Sequence, residues 1–259
     1  MDQGWGYEIG CLKVETSTLI ILSFCAFFTA SFLKGLTGLG FSTLCLGFLA
    51  TFIDIRLAIP LVFLPSLSSN IFVMVDAGHF KDALKRFWIL FLTALPGLLL
   101  GVWFLKNSTH DSPKAILGIV MCCYGLWGIK NRPFKLSSKA ENRLKGPVGF
   151  ISGMVNGATG SQIMPIMPYL LSLDMPRNLF IQTINLSFTI NTLIMASCLG
   201  KLGLLSLPTI GISAAGIIPV AVGIFLGSEL RKKISEERYR YIVFIFLILL
   251  GVNLLIRHA

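Results

Sequence analysis

The sequence predicts an all-α polytopic membrane protein of two homologous, inverted repeats, each a glycine-broken helical hairpin plus three transmembrane helices. Three observations predict it. The 259 residues are 54% apolar and only 13% charged, with a mean hydropathy of +0.79, whereas soluble domains carry about 25% charge. Apolar runs close to the ~20 residues that span a bilayer recur along the chain between short charged loops. Two glycine-rich interruptions, GLTGLGFS at Gly35–Ser42 and GMVNGATGSQ at Gly153–Gln162, stand at matching places in the two halves. Backbone that leaves the helix inside a bilayer costs several kcal/mol per unpaired group unless it lines a protein-enclosed or watery cavity. Matching breaks therefore point to a binding site near the midplane.

Residues 1–17 read as an extramembrane segment, with Asp2, Glu8 and Glu15 against Lys13. No basic region leads to a cleavage site, so Thr18–Leu33 reads as a retained membrane segment rather than a removable signal. It opens repeat 1 (18–130), a broken hairpin over 18–53 and helices over 57–76, 87–106 and 113–130. A polar, basic linker, 131–146, divides the chain. Repeat 2 (147–257) has its hairpin at 147–173 and helices at 179–200, 204–228 and 238–257. The repeats match in layout: Gly40 with Gly160, Asp54 with Asp174, Asn70 with Asn191, Gly97 and Gly101 with Gly223 and Gly227, and Gly125 with Gly251. The glycine pairs four apart read as close helix packing. Asp54 and Asp174 open the turns after the hairpins and read as helix caps, with proton coupling as the alternative.

Lysine and arginine placement orients the chain. Lys81, Lys85 and Arg86 form one basic loop, Lys130, Arg132, Lys135, Lys139, Arg143 and Lys145 a second, and Arg231, Lys232, Lys233, Arg238 and Arg240 a third. All three should be cytoplasmic. Between Lys145 and Arg231 the chain must then cross an even number of times. Helices 179–200 and 204–228 supply two crossings, so 147–173 must be a hairpin of two half-length helices with no net crossing. The same device in the first half makes each half odd in crossings, and the halves inverted. The net charge of +10 resides in these loops, not on one folded face, which excludes nucleic acid as a partner. The six cysteines (Cys11, Cys25, Cys45, Cys122, Cys123 and Cys198) match no zinc or redox spacing, so neither metal nor cofactor is implied.

The residues that carry a family likeness are Gly35-Leu-Thr-Gly38-Leu-Gly40 and Gly153-Met-Val-Asn-Gly157-Ala-Thr-Gly160. Each is followed by an apolar half-helix, a polar turn with Asp and a helix carrying Asn. This pattern, repeated around a basic linker from about Thr18 to Ile256, resembles the sulfite exporter TauE/SafE family of bacterial membrane permeases. The chain departs from it at Phe41 and Ser161, where the family carries a further glycine. It also lacks the half-helix proline in the first repeat, at Leu44–Leu46, while Pro165 is present in the second. The resemblance implies a multi-pass protein of the bacterial cytoplasmic membrane that moves sulfite, sulfonates or related small organic anions by alternating access.

A small anion in a dry site needs donors and positive potential, and half-helix N-termini offer both. Gly38, Gly40, Gly157 and Gly160 would let backbone approach closely. Thr37, Ser42, Thr43, Asn156, Thr159, Ser161 and Gln162 adjoin the breaks and add side-chain donors. Gln182 and Asn185 share one helix face with Thr189, while Asn191 lies off that stripe with Asn70 as its repeat mate. These polar groups face a cavity, or else bond a neighbouring helix. Lys34, the cation beside a break, is functional by default or snorkels to an interface. The expected partners are a small anionic substrate and the lipid bilayer, and a homo-oligomer is compatible with the sequence. An enzyme is disfavoured, because His79, His110 and His258 fall in loops or the tail and leave Ser161 without a base. A membrane scaffold without transport is the other alternative, and it predicts no cavity at the breaks.

Overall fold

The computed structural model describes residues 16–37, 40–130, 135–231, 233 and 236–258, and expectations for 1–15, Gly38, 131–134 and Lys232 lie outside them. Among the described residues there are eleven helices and no strand. Six of the apolar segments are long enough to cross a membrane. The first half comprises α1 (Thr16–Thr37), α2 (Phe41–Ala50), α3 (Ile55–Ala77), α4 (Phe80–Asn107) and α5 (Asp111–Lys130). The second comprises α6 (Ser138–Thr159), α7 (Ile166–Leu171), α8 (Arg177–Lys201), α9 (Leu207–Ala215), α10 (Ile217–Arg231) and α11 (Glu236–His258). The protein is an all-α, multi-pass membrane protein.

Several bounds differ from the sequence reading, each for a local reason. The hairpin arms are unequal rather than half-length: α1 and α6 each run 22 residues, against 10 for α2 and 6 for α7. α6 starts in the linker because Ser137 caps it by accepting from Ala140 N, with Glu141 in its first turn. Pro147, a start signal by rule, lies inside that helix. α4 starts at Phe80 and bends at Phe87, where φ is −118° and ψ 16°, so the apolar run marked only its membrane part. The helix expected over 204–228 is interrupted by a turn at Gly216. Asp54 caps α3 by accepting from Arg56 N at 2.7 Å, whereas the cap of α8 is Pro176 rather than Asp174.

Glycine rows set the closest helix pairs. Gly149, Gly153 and Gly157 of α6 face the carbonyls of Leu90, Ala94 and Leu98, so α6 runs alongside α4 in the same direction. Gly223 and Gly227 of α10 face Phe28–Phe32 and Phe32–Leu36, and α10 therefore runs parallel to α1. Gly118 and Gly125 of α5 meet Gly251 and Ile248 of α11 in an antiparallel pair. A Cβ added at Gly97 would stand 2.0 Å from the Phe150 carbonyl, which is the packing role its spacing predicts.

These directions place both hairpins. The second returns to where it began, since Ser172 O accepts from Leu136 N (2.9 Å) and the Tyr169 hydroxyl donates to Glu141 O (3.0 Å). Its open end lies at the α4 start, where Arg86 grips Glu141 through two bonds of 2.8 Å. The first hairpin ends at the other end of α4, where Arg56 donates to the carbonyls of Leu105 and Ser108. With α4 28 residues long, the two ends are about 42 Å apart. The two hairpins are thus anchored at opposite ends of α4. The described parts of the three basic loops lie together on the face carrying the α4 start, here the basic face.

Candidate functional site

The tips of the hairpins meet. Gly40, at φ +88°, caps α2, and Gly160, at φ +73°, ends α6; these left-handed turns let the chain leave each helix. Thr43 and Ser161 bond each other at 2.9 Å and tie one break to the other. Thr159 fixes the second tip, donating to Val155 O at 2.7 Å and accepting from Ser161 N at 3.1 Å.

Beside this tie lies a cavity of about 30 Å³ whose lining comes from both hairpins and from α3 and α8. That is room for a water or two. Its polar wall is Ser42, Ser66, Asn156, Gln162 and Thr192, and Leu46, Ile59, Val62, Met195 and Leu199 form an apolar wall. Ser42 and Ser66 share a 2.6 Å hydrogen bond, and Gln162 Nε2 donates to Thr192 Oγ1 at 2.9 Å. Asn156 is 1% exposed, yet neither its Nδ2 nor its Oδ1 has a partner, and Gln162 Oε1 has none either. An unpartnered buried amide costs about 1–3 kcal/mol in a fold that gains nothing from it. The helix ends meeting here are of opposite sign, the N-terminal turn of α2 and the C-terminal turn of α6. They are not the two N-termini the sequence suggested.

Lys34 does not line this cavity; it meets α3 further along, beyond Ser66. Its Nζ donates to Asn70 Oδ1 at 2.8 Å and to Ser69 Oγ at 3.0 Å, and the residue is 2% exposed. Ser69 donates in turn to the Ser66 carbonyl at 2.8 Å. Among the described residues no carboxylate pairs with Lys34.

The structure thus gathers Lys34, Gly40, Ser42, Thr43, Asn70, Asn156, Thr159, Gly160, Ser161 and Gln162 around the two tips. Thr37 ends α1, and its side chain and Gly38 lie outside what is described. Gly157 serves the α4 contact instead, as a Cβ there would stand 2.2 Å from Leu98 O. Gln182 is remote, its amide nitrogen within reach of Gly78 O (2.7 Å) and Met74 O (3.1 Å) at the end of α3. Asn185 donates to Ile181 O at 2.8 Å, and neither it nor Asn191 lines the cavity, although each leaves a buried Oδ1 unpartnered. Thr192, not singled out from the sequence, was legible as the position seven residues beyond Asn185 on the same face.

A family model described as sulfite exporter TauE/SafE matches residues 22–254. The chain belongs to the sulfite exporter TauE/SafE family. Membership makes it a multi-pass membrane transporter, a permease of a family associated with sulfur-containing anions. No curated protein and no solved structure matches the chain.

Proposed function

We propose that this TauE/SafE member carries a small sulfur-containing or organic oxyanion across the bacterial cytoplasmic membrane by alternating access around the two glycine breaks. The observation that carries the reading is the cavity at the joined tips, where Asn156 presents a buried amide with no partner in the protein. Ser42, Ser66, Gln162 and Thr192 supply further neutral donors, and Lys34 holds its charge beyond Ser66 along α3. Two hairpins anchored at opposite ends of α4, each with its tip at the cavity, suit a site reached from either side in turn. The pairing of α4 with α6 is mirrored by that of α10 with α1, which supports a duplicated, inverted module over 18–130 and 147–257. The basic face is then cytoplasmic by the positive-inside rule.

Asn156→Leu tests the reading. Replacing an unpartnered buried amide by an apolar group of similar size is neutral or stabilising for the fold. Sulfite flux into proteoliposomes should fall by about tenfold or more, a loss of about 1.4 kcal/mol, while the thermal midpoint holds or rises. Full flux in this variant would remove the cavity from the transport path.

A further inference from the structure

A polar row leaves the cavity along α3 and α8, toward the basic face. The two helices run antiparallel: Thr192 and Leu199 share the cavity with Ser66 and Ile59, while Gln182 reaches the Gly78 and Met74 carbonyls at the other end of α3. That register sets Asn185 and Thr189 against the stretch of α3 that carries Ser69 and Asn70. Ser69 and Asn70 stand three and four positions beyond Ser66, and Asn185 seven before Thr192, so each shares its helix face with a cavity residue. Toward the far face the same side of α3 carries Ile55, Ile59 and Val62, all buried and apolar. Ser69, Asn70 and Asn185 are buried too, and Asn70 Nδ2 and Asn185 Oδ1 have no partner. Lys34 stands over the row, bonded to Ser69 and Asn70. The row ends at the basic face in a depression of about 670 Å³ whose lining includes Gln182, His79, Lys81 and Asp82. Asp82 is bonded to His79 at 3.0 Å. From Ser66 to Gly78 the helix rises about 18 Å.

We propose that the anion travels between the cavity and the basic face along this α3–α8 row, with the depression as its mouth and Lys34 as the cation it meets on the way. The inference rests on the anion-transport reading above and adds the route to it. An anion cannot enter hydrocarbon, so its path must offer polar groups at every step. The unpartnered amide atoms of Asn70 and Asn185 are a cost while α3 and α8 stay closed. They are met when the two helices part and water and solute enter. A buried ammonium without a carboxylate is a cost of the same kind, and a passing anion relieves it. A lone cation on the row holds the solute in passing without trapping it.

Ser69→Cys and Asn185→Cys test the route, each in a full chain whose native cysteines are replaced, reconstituted in a sealed membrane. Leu193→Cys, on the exposed side of α8, is the control. Two membrane-impermeant methanethiosulfonates, one bearing a sulfonate and one a trimethylammonium, are applied to the basic face, and modification rate and sulfite flux are read. Both row cysteines should react and lose flux on modification, and Leu193→Cys should do neither. Relative to their rates with a free thiol, the sulfonate reagent should outpace the cationic one, and Lys34→Gln should cut that preference by about tenfold or more. Row cysteines that stay unmodified, or that react without loss of flux, would overturn the route and leave the transport reading standing. Equal reaction at Leu193→Cys, or a reagent preference that Lys34→Gln leaves unchanged, would do the same. Absence of sulfite flux from the parent chain would overturn the transport reading and this inference with it.

Discussion

Gly160 holds the second break in a backbone conformation that side chains resist. With φ at +73° and a would-be Cβ 2.7 Å from Leu46 Cδ1, Gly160→Ala should cost about 1–2 kcal/mol from backbone strain alone. The thermal midpoint of the purified variant should drop accordingly, and an unchanged midpoint would show that the turn relaxes. At Gly40 the φ of +88° exacts the same strain, although its nearest side-chain neighbour is 3.6 Å away. Glycine substitutions at the breaks therefore report folding as well as transport, which makes Asn156 the cleaner probe. The residues at the tips were legible in the sequence because a left-handed glycine between apolar runs has few other uses. Gly157 and Gln182 were not separable from them. A glycine on a helix looks the same whether it meets a ligand or the backbone of α4, and a glutamine looks the same whether it faces a cavity or the open carbonyls ending α3. Ser66 was hidden for a related reason, since its role depends on the rotation of α3 against α8.

At the scale of elements, α6 is fastened twice, along its glycine row and at its polar start. There Glu141 takes both bonds of Arg86 and stands 3.5 Å from Lys145. The Arg86 hydrogen bonds hold its carboxyl below the usual carboxylate range, with burial opposing and the charges of Arg86 and Lys145 reinforcing the shift. A carboxyl depressed in the folded state stabilises fully above its unfolded pKa, and that contribution is lost as pH falls through the folded value. Glu141→Gln should therefore destabilise the protein at neutral pH by about 1.5–3 kcal/mol, as for charged hydrogen bonds of this kind, and lower its thermal midpoint. The deficit should shrink as the parent protein is acidified into the carboxylate range. A deficit independent of pH would mean that the side chain acts by packing alone. This fastening also explains why the start of α6 was read as linker. Ser138–Gly146 is polar in composition, and the Ser137 cap and the contact of Glu141 with α4 together hold it as helix. Phe80–Arg86 of α4 is the same case on the partner side. The apolar spans themselves were legible because hydropathy over some twenty residues is set by the bilayer and not by neighbours.

For the whole molecule, the contacts place the open end of the second hairpin at the start of α4 and the end of the first hairpin at the end of α4, and the proposed inverted topology builds on that separation. What the sequence left out is how the tips lock, through Thr43 with Ser161, and how Ser42 ties the first tip to Ser66 of α3. In the alternating-access reading proposed above, that lock loosens toward one face at a time and exposes the same side chains to each side in turn. Ser42 lines the cavity, and Ser42→Cys, in a chain whose native cysteines are replaced, places one thiol there with little change in size. The direct measurement is the rate at which a membrane-impermeant thiol reagent modifies that cysteine when applied from either face of a sealed membrane. The account predicts modification from both faces. Modification from one face only, or from neither, would contradict it.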